Sequence, residues 1–290
     1  EKPLPEEQRK KIALFTNVKE EAVISAQDAN DVYEIPLILR DQGLDEIIVK
    51  KLQLNVKKPD LTDWENVLLA KNNSKSIVKI AMVGKYVDFR DSYISLSEAL
   101  RHAGFKTQTK IQIEYVESEE IQKHGTNVLK EMNAILIPGG FGDRGIEGMV
   151  DSIQFARENK IPFLGICLGL QAAVIEFSRN NLNLLDANST EFNPDTSAPV
   201  IALIKEWMNK DGSLESRDED SDLGGSMRLG AQECMITNKT LARRVYQKSS
   251  VFERHRHRYE FNINFKEDLE QQGLIFSGHS KDGLVEIIEL

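Results

Sequence analysis

Apolar and polar positions divide the chain into three stretches of different character. In the first, residues 11–18, Lys-Ile-Ala-Leu-Phe-Thr-Asn-Val, read as a strand, and Ala22-Val23-Ile24-Ser25 as a second. A helical repeat then predicts a helix over Val32–Gln42, closed by Gly43, and another apolar group covers Ile47–Leu54. Roughly fifty residues without a staple bury too little surface to be stable alone, so this stretch is expected to be the remnant of a larger domain. Residues 55–77 are rich in Lys, Asn and Ser and read as a linker with one short helix around Trp64–Ala70.

A regular alternation begins at Val78. It predicts strand Val78–Val83, helix Ser92–His102 ended at Gly104, strand Lys110–Val116, helix Ser118–Glu131, strand Ala134–Pro138, helix Ile146–Asn159 and a short buried strand at Ile161–Ile166. Strands and helices alternating at this length imply an α/β fold, a mostly parallel sheet with flanking helices. Ligands of such sheets lie outside the carboxyl ends of the strands. Two Gly-rich turns, after Ile137 and after Ile166, fall at that edge. Beyond Glu191 the pieces shorten and become β-rich: Val200–Ile204, Met227–Ile236, Val251–Asn262 and Gly283–Leu290. The expected domains are therefore 1–54, a linker at 55–77, and 78–290.

The second turn carries the strongest chemical signal. In Gly165-Ile166-Cys167-Leu168-Gly169 a cysteine stands between two glycines where a strand meets a helix, the pattern of a nucleophile elbow. The helix after it begins with unpaired N–H groups, which favour a thiolate and a developing oxyanion. An isolated cysteine would more simply be a core residue. The symmetric glycines at a strand-to-helix junction make Cys167 the candidate nucleophile. Pro138-Gly139-Gly140-Phe141-Gly142 is a turn whose N–H groups can point into a pocket unobstructed, so the Gly140 and Leu168 N–H groups are the candidate oxyanion hole.

A base is harder to find. Of the five histidines none is followed two residues later by an acid able to orient it. His255 and His257 lie in Glu253-Arg-His-Arg-His-Arg-Tyr-Glu260, where alternation puts both on one strand face and Arg254, Arg256 and Arg258 on the other. That cationic run fits a solvated edge, a phosphate or RNA patch, or a site for a substrate carboxylate. Residues 209–222 hold six acidic side chains and read as a solvated loop or a lid.

Composition narrows the classes. A net charge of −9 argues against general nucleic-acid binding, and no apolar run is long enough to span a membrane. Two cysteines make no disulfide framework, so a reducing cytoplasm is the expected compartment. The first residue is Glu1 rather than Met, so the chain is expected to be processed, trimmed or a fragment.

Together the elbow and the Pro-Gly-Gly-Phe-Gly turn resemble those of the class I (triad) glutamine amidotransferases. Gly84-Lys85-Tyr86, Asp186-Ala-Asn-Ser-Thr-Glu-Phe192, Asp222-Leu-Gly-Gly-Ser-Met-Arg-Leu-Gly230 and Glu253–Glu260 resemble, within that class, the CTP synthase family. Residues 9–54 resemble the tail of that family's P-loop-type amidoligase domain, expected here as a short α/β remnant. The resemblance implies an amination of UTP to CTP, driven by ATP with Mg²⁺, using ammonia from glutamine, with GTP as activator. It implies Cys167 as nucleophile and Gly140 and Leu168 as oxyanion donors. Gln171, Glu191 and Arg258 would hold glutamine, Glu191 at its ammonium and Arg258 at its α-carboxylate. Lys11 would approach UTP or CTP, Asp28 the ATP, and Arg217 the GTP. No metal ligand is expected in these residues, and a homotetramer is implied for the complete enzyme. The family's base and orienting acid form a His-x-Glu pair shortly after a strand like Val285–Leu290. Residues 1–290 hold no such pair, nor a phosphate-binding Gly-Lys loop, so they are expected to be a fragment and inactive alone. A non-catalytic regulatory or assembly module on the same fold is the alternative.

Overall fold

A computed structural model describes residues 3–87, 89–203, 206–208, 214–216 and 227–290. The chain forms two compact units, Glu1–Ile77 with Ala99–Lys110, and Val78–Glu98 with Ile111–Leu290.

Up to residue 75 the described part of the smaller unit contains helices and no strand: α1 (Glu6–Thr16), α2 (Ile35–Asp41), α3 (Leu44–Lys51) and α4 (Thr62–Asn72). The strand expected at 11–18 is thus corrected to the second half of a helix. Pro5 stands at the helix start, Glu6 and Glu7 occupy the first turn, and Lys10 pairs with Glu6 one turn back. These polar residues precede the apolar ones and begin the helix, and only Ala13 is buried in it. Ala22–Ser25 is likewise not a strand, but a 3₁₀ turn running into extended chain. The buried residues of this unit include Ala13, Val23, Ser25 and Asp31. Asp31 receives Lys71 at 2.6 Å, Arg101 at 2.9 Å and the Tyr33 N–H at 3.1 Å.

The larger unit is built on a sheet of order β2-β1-β3-β4, from β1 (Ser76–Gly84), β2 (Thr109–Glu117), β3 (Ala134–Ile137) and β4 (Phe163–Gly165). β1, β3 and β4 run parallel. Between them in the chain come α5 (Ile94–Thr107), which belongs to the smaller unit from Ala99 on, α6 (Ser118–His124) and α7 (Ile146–Glu158), and α8 (Leu168–Asn181) follows β4. α7 and α8 pack on one another and on β3 and β4. Their apolar faces, with Met149, Ile153, Leu168 and Ile175, close the core over Ile135 and Ile137. Each such fully buried side chain contributes roughly 1.5–3 kcal/mol relative to exposure. α5 runs through Gly104, which is buried within it rather than ending it. The expected helix 118–131 is instead split at Gly125 into α6 and a 3₁₀ turn.

After α8 come β5 (Ala187–Ser189) and β6 (Ala198–Leu203), with the pair β7 (Glu206–Met208) and β8 (Leu214–Ser216). β9 (Arg228–Ile236), α9 (Leu241–Tyr246), β10 (Ser250–His257), β11 (Tyr259–Phe261), α10 (Lys266–Gln271), β12 (Ile275–His279) and β13 (Val285–Glu289) complete the described chain. β10-β9-β12-β13 form an antiparallel sheet, and β11 joins β6. The expected strand Val251–Asn262 is therefore broken at Arg258, where the chain passes from one sheet to another.

Candidate active site

Cys167 sits between the end of β4 and the first residue of α8 with φ 54° and ψ −104°. That is a conformation L-residues rarely hold, and here the packing of both neighbouring glycines enforces it. A Cβ on Gly165 would lie 2.5 Å from the carbonyl of Gly169, and one on Gly169 would lie 2.3 Å from Ile137 O. The elbow is thus pressed against the end of β3 so closely that neither position can carry a side chain.

The turn after β3 faces it. A Cβ on Gly139 would be 3.5 Å from Cys167 Cβ, and one on Gly140 would be 3.0 Å from Leu168 Cδ2. The nucleophile, the Gly-Gly turn and the first residue of α8 therefore form one wall. Burial pushes the half-buried Cys167 thiol above its ordinary range. The Leu168 N–H, bonded to the sulfur, pulls the other way, and the charges of Glu191 and Glu260 add to the rise. The resting residue is a neutral thiol that needs a base. The thiol also faces Arg256 O, at 4.0 Å.

Gln171 lies one helical turn beyond Cys167, and its Nε2 donates to Tyr259 O at 3.0 Å. Glu191 Oε1 accepts the Gly142 N–H at 2.7 Å, joining the segment after β5 to the Gly-rich turn. Arg258 occupies the corner between β10 and β11, and its Nε is buried without a hydrogen-bond partner among the described residues. Lys11 is exposed on α1 and Asp28 is exposed in chain without helix or strand, both in the smaller unit. Arg217 lies outside the described residues.

Two features escaped sequence reasoning. The first is Lys85, quoted above only as part of Gly-Lys-Tyr. It is 3% exposed, and its ammonium donates to Phe141 O at 3.1 Å and to Gly142 O. The second is a buried ionic cluster behind Arg258. His257 meets Glu260 at 2.7 Å, His255 meets Glu286 at 2.8 Å, and Arg228 joins the two acids at 3.2 and 2.6 Å. The period-2 pattern did signal that His255 and His257 share a face, and Arg254 and Arg256 are indeed exposed. It could not show that the acids come from three residues further along the chain and from β13.

A cysteine elbow facing a Gly-Gly turn at the carboxyl edge of a parallel sheet defines a class I glutamine amidotransferase domain, and the family model for Glutamine amidotransferase class-I matches residues 88–290. The family model for CTP synthase N-terminus matches residues 1–54. Among solved structures, a Trypanosoma brucei CTPS glutaminase domain with bound acivicin is 36% identical, with a TM-score of 0.64 over 73% of this chain and 80% of that one. The chain belongs to the CTP synthase family.

Proposed function

We propose that the larger unit hydrolyses glutamine at Cys167 and that the complete enzyme uses the ammonia to convert UTP to CTP with ATP. The observation that carries this reading is the contact between the Cys167 elbow and the Gly139-Gly140 turn, to which Glu191 is bonded through the Gly142 N–H. Glutamine presents a cationic ammonium and an anionic α-carboxylate, and Glu191 and Arg258 offer the opposite charges. Arg258 Nε, buried and without a hydrogen-bond partner among the described residues, suits a bidentate hold on the carboxylate. The relative's bound acivicin supports occupation of this kind of domain by a small molecule.

The thiol gives up its proton and Sγ attacks the side-chain amide carbon. The oxygen turns to the Gly140 and Leu168 N–H groups, the amide nitrogen takes the proton back from the base and leaves as ammonia, and water cleaves the glutamyl thioester to glutamate and the free thiol. The first proton has to pass to a base, a role the histidine of a His-x-Glu pair fills in the family. Residues 1–290 hold no such pair, and alone they should hydrolyse glutamine orders of magnitude more slowly than a chain that carries it. Lys11 and Asp28 would serve UTP or CTP and ATP, Arg217 would serve GTP, and the complete enzyme would be a cytoplasmic homotetramer. Mg²⁺ would accompany ATP in the amidoligase step. Among the described residues no group of three or more His, Cys, Asp or Glu is placed to hold a metal ion.

Ammonia release from glutamine by the complete enzyme, and its loss in Cys167→Ala, tests the reading. Glutamine binding without turnover in the complete enzyme would overturn it in favour of a regulatory module.

A further inference from the structure

The Gly-rich turn that presents the Gly140 N–H is gripped by two charged side chains from outside it. Lys85, at the end of β1, reaches the turn with its stem and its head. A Cβ on Gly140 would be 3.7 Å from Lys85 Cδ, so the stem lies along the oxyanion donor. The ammonium takes the carbonyls of Phe141 and Gly142, the two residues that follow. Glu191 takes the Gly142 N–H at 2.7 Å. Three consecutive backbone groups of the turn are therefore bonded to charged side chains, and such bonds are stronger than neutral ones. The Lys85 backbone is itself held, because the Arg144 guanidinium donates to Lys85 O and also meets Glu117 at 2.9 Å and Glu119 at 2.7 Å. The Phe192 ring lies 5.8 Å from the Lys85 ammonium.

We propose that Lys85 is a positioning residue for glutamine hydrolysis, fixing the Pro138–Gly142 turn so that the Gly140 N–H meets the oxyanion. The inference rests on the reading of Cys167 given above. It assigns Lys85 no contact with the reacting atoms. A carbonyl pair turned toward a buried cation cannot flip outward without leaving that cation unsolvated, and this holds the turn before substrate arrives. The arrangement titrates. Burial holds the Lys85 ammonium down to about 8, with Arg144 adding to the drop and Glu191 and Asp143 opposing it. The charged form, and with it the grip, is present below that value and lost above it.

The test uses the complete enzyme with Lys85→Met, which keeps the stem and removes the donors, and Lys85→Arg, which keeps charge and donors. Glutamine turnover and the rate of Cys167 alkylation by iodoacetamide are both measured, because alkylation needs the thiol but no oxyanion hole. Lys85→Met is expected to lower kcat about 100-fold, the scale of a misplaced catalytic group. Its KM and its alkylation rate should stay within about threefold of wild type, a margin small beside that loss. Lys85→Arg should recover most of kcat and lose the decline near pH 8 that wild type shows, since a guanidinium does not titrate there. Equal kcat in Lys85→Met and wild type would overturn the proposal, as would parallel loss of turnover and alkylation. If Lys85→Met does not fold, an alkaline decline at the same pH in wild type and Lys85→Arg overturns it. Wild-type enzyme that releases no ammonia would instead sink the reading of Cys167 itself.

Discussion

His257 Nε2 lies 2.7 Å from Glu260 Oε1, closing the corner in which Arg258 stands. On the neighbouring strand Arg228 is the register partner of His257 and binds the same Glu260 oxygen at 3.2 Å. The corner that carries the candidate carboxylate-binding arginine is therefore tied on both sides by one buried carboxylate.

Replacing the cation at the centre of that cluster should be costly. Arg228→Met would leave Glu260 and Glu286 buried without it, and an uncompensated buried charge costs about 3–5 kcal/mol. Urea unfolding is expected to show a loss of that size, with glutamine KM raised more than kcat is lowered. An unchanged urea midpoint would show that Arg228 does not hold this corner together.

The elbow glycines should tolerate no methyl group. Gly169→Ala puts a carbon 2.3 Å from Ile137 O, where backbone rather than a flexible side chain must give way. A destabilisation of about 3 kcal/mol is expected, at the upper end for overpacking, together with loss of glutamine turnover. Gly230→Ala, where a Cβ meets nothing within 4 Å, should show only the smaller strain of its positive φ. Denaturant midpoints for the pair check the contrast.

Cys167 should behave as a reluctant thiol in the absence of substrate. Burial raises its pKa, so the rate of alkylation by iodoacetamide should climb with pH to a midpoint above that of an ordinary thiol, about 8.5. Cys167→Ala should abolish labelling at this site and glutamine turnover together. A labelling midpoint near pH 6 would show that an unrecognised cation activates the resting cysteine.

Acid should weaken the smaller unit through Asp31. Burial alone would raise this carboxyl, but the bonds from Lys71 and the Tyr33 N–H and the charge of Arg101 outweigh it and hold it below the ordinary value. A folded-state pKa lower than the unfolded one contributes stability above the unfolded value and loses it as pH falls through the folded one. Asp31→Asn should therefore destabilise at neutral pH and flatten the loss of stability below about pH 4, near the unfolded carboxyl value. Unfolding curves of both proteins at pH 7 and pH 3 measure it.

Local pattern by itself determined the strands and helices of the sheet core. Val78–Val83 and Ala134–Pro138 are apolar runs bounded by turn residues and buried over most of their length, whereas the run before Cys167, expected to be buried, forms the strand β4 at the end of its sheet, with Leu164 and Ile166 exposed. It also determined the elbow, because a cysteine between two glycines at a strand-to-helix junction is a local steric statement. Only the tertiary structure decided which groups meet across the chain. Lys85 and Glu191 stand far from the Gly142 turn in sequence, and Glu286 is distant from His255, so no periodicity could pair them. The same limit explains the misread N-terminus. Residues 11–18 carry side chains that suit a strand, and the polar first turn before them, with its Glu6–Lys10 pair, made them the second half of a helix. Local propensity sets what a segment can be. The partners that satisfy its buried charges and backbone groups set what it does.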